Sequence, residues 1–136
     1  MKLPHIALST VLLLGVASIS FAQTKPGDLV ADIPFAFVVA ERTLPPGHYV
    51  VNSLNENLSI RDGKNACLFA AAHSAQRPAR ENAAKLVFHR YGNIYFLSEV
   101  WVGDNSIGRA LYPSRAEREL REHGRETEVA VVRMEK

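Results

Sequence analysis

Cysteine is almost absent: Cys67 is the only one among 136 residues. A lone cysteine closes no internal disulfide, so a domain built from this chain must hold itself together by burial of apolar surface. An excess of charge is also missing. Sixteen Lys and Arg face 14 Asp and Glu, for a formal net charge of +2, and the basic residues are scattered rather than clustered. That balance excludes the electrostatic footprint that nucleic acid or an anionic lipid surface requires. Past the first 22 residues no apolar run approaches the ~20 residues of a membrane-spanning helix, and neither internal repeats nor low-complexity tracts occur. Sequence signatures of catalysis are lacking too. There is no G-x-S-x-G elbow, no G-x-G-x-x-G or G-x-x-x-x-G-K phosphate cradle, and no H-x-x-x-H or C-x-x-C metal spacing.

What is present begins with an address. Lys2 supplies a positive start, residues 6–19 are nearly all apolar, and Ser20-Phe21-Ala22 puts small residues at −3 and −1 of a cut before Gln23. This is the layout of a secretory signal peptide. The expected organisation is a signal peptide over 1–22, a loose lead-in over 23–30 and a single β-rich domain over 31–136. Cleavage removes Lys2 and leaves a net charge close to +1. Cys67 cannot serve as a lipoprotein anchor, because Gln23 occupies the position after the cut.

The remainder alternates short apolar segments with turn residues. Ile33, Phe35, Phe37 and Val39 follow a period of two, with Pro34 placing the segment late or at an edge. Pro46-Gly47 predicts a type II turn with Gly47 at positive φ. Strands are predicted over 48–54, 58–61 and 66–72, and residues 76–84 form the one long polar connection. The strongest signal is 85–102, where two apolar runs meet at Gly92-Asn93 as a tight hairpin. Pairing Tyr91 with Ile94 sets His89 opposite Phe96, Phe88 opposite Leu97, Val87 opposite Ser98 and Leu86 beside Glu99. A ribbon with apolar residues on both faces should be covered on both. Ser114-x-x-Glu117 is a capping box, and Gly124 ends a surface helix of about ten residues whose apolar stripe is Ala116 and Leu120. A last strand runs over 127–134. Together these predict an all-β, mainly antiparallel fold: a small sandwich or partly open barrel of about seven strands, with one short surface helix near the C-terminus.

Chemistry-bearing residues are few. His48, His73, His89 and His123 lack close ligating partners, and His89 is expected as a packed imidazole. Cys67 and His73 lie six positions apart on one strand, roughly 20 Å by strand rise, too far for a dyad. Glu99, on a predicted core strand, should need a cation, with Arg61, Arg90 and Arg109 as candidates. No catalytic residue, metal ligand or cofactor is assigned.

Asp32-Ile33-Pro34-Phe35-Ala36-Phe37 with Leu44-Pro45-Pro46-Gly47-His48-Tyr49, then Lys85-Leu86-Val87-Phe88-His89-Arg90-Tyr91-Gly92 with Tyr95-Phe96-Leu97-Ser98, and Ser114-x-x-Glu117 with Glu119-Leu120, together resemble a group of small exported bacterial proteins of unknown function. The resemblance implies export and a single β-rich domain, and carries no activity or site. The L-P-x-G-x-Y turn is also similar to one in immunoglobulin-like and transthyretin-like sandwiches. The resulting expectation is an exported, non-catalytic β-domain that binds a protein or cell-envelope component. The alternatives are a carrier whose barrel-like cavity is lined by Phe35, Phe37, Phe88, Tyr95, Phe96 and Trp101, and an enzyme using Glu99, His48 or His89 assembled in space.

Overall fold

A computed structural model of the chain describes residues 28–54, 57–62, 67–77, 83–103 and 107–136; the expected signal peptide lies outside them, as do 23–27 of the lead-in. The elements are β1 (Leu29–Ile33), β2 (Phe37–Val39), β3 (Arg42–Leu44), β4 (Gly47–Leu54), β5 (Asn57–Asp62), β6 (Cys67–Gln76), β7 (Lys85–Tyr91), β8 (Ile94–Trp101), β9 (Ile107–Leu111), α1 (Arg115–Glu122) and β10 (Glu128–Arg133). One sheet runs β1-β4-β5-β6-β9-β8. Along one edge β8 pairs β7, which pairs β10; its other edge is shared by β9 and the β2–β3 hairpin. All pairings are antiparallel except β2 with β8. The two ends of the sheet meet at a single bridge, where Val30 and Glu135 exchange both backbone hydrogen bonds at 2.7 and 2.9 Å. The fold is all-β and mainly antiparallel, a curved sheet with the character of a partly open barrel.

The inner face carries the core. Leu29, Ala31 and Ile33 of β1 meet Tyr49 and Val51 of β4, then Leu58 and Ile60 of β5, and across the curve Leu86, Phe88, Leu97 and Val100 of the central hairpin. Aromatic rings interlock at its centre. Phe35 stacks on Tyr95 at 3.8 Å and meets Phe88 edge-on at 5.0 Å, while Phe37 packs edge-on against Tyr49 and Phe88 at 5.3 and 5.6 Å. Four of the six aromatics expected around a cavity thus pack against one another in the core region.

Several sequence expectations are corrected. The lead-in ends sooner than 30: Leu29 and Val30 already pair with β4, and Asp28 is buried, accepting from Asn52 and Arg61 at 2.6 Å each. The strand over 33–39 breaks into β1 and β2 at Pro34, which has no N–H for a ladder. The left-handed residues beside it are Ala40 (φ 47°) and Glu41 (φ 64°), which turn β2 into β3; Gly47 instead opens β4 opposite Ile33. Tyr49 closes that corner by donating to the Pro45 carbonyl at 2.5 Å. β6 extends to Gln76 because it changes partner from β5 to β9 at Ala72. Strand β9 was not expected, since Gly108 and Arg109 dilute its apolar pattern. Gly108 is required there: a Cβ on it would lie 2.4 Å from the Trp101 ring.

Candidate functional site

The central hairpin turns at Gly92 (φ 61°) with Tyr91 opposite Ile94, His89 opposite Phe96 and Phe88 opposite Leu97, as the sequence predicts. Between Phe88 and Val87 the register shifts by one, so Val87 faces Glu99, Leu86 faces Val100 and Ser98 is the extra residue of a β-bulge. A one-residue slip exchanges faces. Val100 turns into the core, and Trp101 turns to the outer side above Gly108, with the Arg77 guanidinium 5.0 Å from its ring. The expected Leu86–Glu99 pairing is therefore lost. Glu99 accepts from the Trp101 indole N–H at 2.7 Å, in place of an arginine. Arg61 pairs with Asp28, Arg90 donates to the Gly92 carbonyl, and Arg109 donates to Ser74.

Helix α1 covers part of this outer face, and it docks through a charge. Ser114 caps it by accepting from the Glu117 amide at 3.1 Å, and Gly124 (φ 69°) ends it, with Gly124 and Arg125 donating to the carbonyls of Arg121 and Leu120. The helix has eight residues rather than ten. Its Glu117 side chain does not complete a capping box. It is the buried residue of the helix, 3% exposed, and its Oε1 receives His89 Nδ1 at 2.8 Å, Arg121 Nη2 at 3.0 Å and the Tyr91 hydroxyl at 3.2 Å. Burial pushes the Glu117 carboxyl upward, but the His89 hydrogen bond, the nearby Arg121 charge and the Tyr91 hydroxyl outweigh it and hold it below its ordinary value. Arg121 also donates to the Tyr91 oxygen at 2.8 Å, which closes the network. The amide of Arg115 adds a second anchor, donating to Glu41 in the β2–β3 turn at 2.8 Å.

On the other ring nitrogen, His89 Nε2 lies 3.2 Å from Ser98 Oγ. The distances assign the tautomer. A carboxylate oxygen 2.8 Å from Nδ1 requires a proton between them, because two lone pairs at that separation repel. Nδ1 therefore donates to Glu117, and in the neutral ring Nε2 accepts from the Ser98 hydroxyl. The Arg121 guanidinium, 3.1 Å from Nδ1, serves Glu117 and Tyr91.

Anchoring the helix by Glu117 leaves its apolar residues facing elsewhere. Ala116 and Leu120, expected as the packing stripe, line a groove of about 570 Å³ whose opposite wall is Ala36 and Val38 of the β2 approach with Ile94 and Phe96 of β8. Glu119, His123, Thr43 and Asn93 supply its polar groups. Phe96 joins groove and network, since it also contacts the Tyr91 ring edge-on at 5.6 Å.

The other singled-out residues fall apart from this assembly. His48 pairs with Asp32 at 2.5 Å on the surface, with both side chains mostly exposed. His73, on β6 with Cys67, contacts the ring of Tyr112. His123 caps α1 beside the groove, with Nδ1 2.7 Å from the Glu119 carbonyl. His89 is not a ring packed only among apolar groups but the centre of the network. Among the described residues no group of three His, Cys, Asp or Glu is placed to hold a metal, and no helix is long and apolar enough to cross a membrane. Sequence reasoning missed Ser98, Tyr91, Glu117 and Arg121. The available signal was the Glu117–Arg121 spacing of four, on a stripe about 100° round the helix from Ala116 and Leu120. Comparison with family models, curated proteins and solved structures yields no match.

Proposed function

We propose that this is an exported binding domain that receives apolar side chains of a protein partner in the groove between α1 and the β2/β8 face. One observation carries the reading: the helix buries a carboxylate against its own sheet and turns Ala116 and Leu120 toward an open groove. An amphipathic surface helix ordinarily does the reverse. The polar network fixes the helix so that the groove is pre-formed, which lowers the ordering cost of binding. Ile94, large, apolar and 45% exposed at the groove, suits a desolvated anchor. Export is supported by the layout of residues 1–22.

A second reading, a carrier for a small apolar molecule, is favoured by the groove volume, which lies within the usual ~300–1,000 Å³ of ligand sites. Native mass spectrometry of the processed protein, isolated from the cells that make it, tests both. A retained polypeptide supports the first reading and a retained small molecule the second. Either should be lost from Leu120→Asp, and a bare chain identical to that variant would overturn both.

A further inference from the structure

We propose that Ser98, His89 and Glu117 form a nucleophilic serine site that accepts the acyl group of an ester bearing an apolar chain. This goes beyond the binding role and rests on a different observation. Ser98 Oγ to His89 Nε2 is 3.2 Å and His89 Nδ1 to Glu117 Oε1 is 2.8 Å, so a hydroxyl, an imidazole and a buried carboxylate stand in the order that activates a serine. Such a constellation is recognised by its geometry rather than by its order in the chain, and these three residues share no sequence motif.

Three features of the surroundings support the assignment. The Ser98 position is made by the bulge, a device that re-aims side chains beside active sites. The tautomer is the productive one: Glu117 holds the proton on Nδ1, leaving the Nε2 lone pair toward the hydroxyl. Glu117 is itself immobilised, by Arg121 and Tyr91. An apolar surface also lies alongside. Val129 stands opposite His89 and Val131 opposite Val87, on the same outer face, and they are 65% and 53% exposed. Directly opposite residues share a sheet face, so the two valines offer an acyl chain a resting place beside His89, across β7 from the nucleophile.

The chemistry balances without a cofactor. Ser98 Oγ forms a bond to the ester carbonyl carbon as its proton passes to Nε2. The carbon–oxygen bond to the leaving group breaks, and that oxygen takes the proton from Nε2 to depart as an alcohol. Water then adds to the acyl carbon, giving its proton to Nε2. The bond to Oγ breaks, Oγ recovers the proton, and a carboxylic acid is released. Nothing is oxidised or reduced. His89 is the base, and Glu117 is a positioning residue acting through it.

The test is covalent labelling of the folded, full chain with an alkyl fluorophosphonate. There Oγ bonds to phosphorus and fluoride leaves, so only the first half of the sequence is needed. An adduct on Ser98, absent from Ser98→Ala, is expected, with labelling of His89→Gln slower by about a hundredfold or more, the usual worth of a general base. Glu117→Gln should slow labelling per folded molecule and lose the low-field Nδ1 proton resonance expected of the wild type. A wild type that displays that resonance yet labels no faster than Ser98→Ala overturns the proposal. Val131→Asp should reduce labelling by long-chain probes relative to short-chain ones; an unchanged ratio would remove the acyl-chain assignment.

Discussion

The two faces of the β7–β8 hairpin are built on different principles. Leu86, Phe88, Leu97 and Val100 on the inner face are buried among apolar neighbours. Burial of this kind is non-directional and scales with area, so it stabilises the sheet while saying little about where any one atom must lie. On the outer side His89, Tyr91, Ser98, Glu99 and Trp101 are joined by hydrogen bonds to Glu117, Arg121 or one another. These depend steeply on distance and angle. The inner face sets stability, and the outer face sets position: which side of α1 meets the sheet, and hence the groove and the orientation of His89.

The largest expected way to break the contrast is Phe88→Ala. Phe88 is fully buried between Phe35 and Phe37, and truncation should lower unfolding free energy by about 3–5 kcal/mol in denaturant titration. A loss below about 1 kcal/mol would mean the inner face is not the source of stability. Next is Gly108→Ala, whose Cβ would collide with Trp101. Overpacking should cost about 1–3 kcal/mol and change Trp101 fluorescence, a change that Phe88→Ala should not reproduce.

Glu117→Gln should cost about 1–3 kcal/mol, because it leaves donors of the network imperfectly satisfied. It should also remove a pH dependence. The folded carboxyl lies below its ordinary value of 4.5, so its contribution is complete above that value and is lost as pH falls through the lowered folded one. Wild type and variant should therefore converge in stability in acid; parallel curves down to pH 2 would contradict the network. The smallest effect on folding belongs to Leu120→Asp, within about 0.5 kcal/mol as a partly exposed helix position, yet it should abolish occupancy of the groove.

What the sequence made legible was whatever repeats with a period or sits at a punctuating residue. Period-two alternation placed most strands, Gly92 placed the hairpin, and Ser114 and Gly124 placed the helix ends. The site was not legible, for three reasons. The bulge at Ser98 adds one residue without any glycine or proline to mark it, so the register beyond Leu97 slips and Glu99 and Val100 exchange sides. Glu117 matches a capping box, so its burial against His89, 28 residues earlier, leaves only its spacing of four from Arg121 as a local trace. An eight-residue helix with two apolar positions also gives no cue that its charged side is the docked one.

A helix this short does not persist on its own in water, so its survival reports directly on what holds it. Amide hydrogen exchange of Glu117→Ala at neutral pH is the decisive measurement. Amides of α1 should lose protection while those of β7 and β8 keep theirs, detaching the helix from an intact sheet. Unchanged protection in α1 would show that the carboxylate network does not hold the helix.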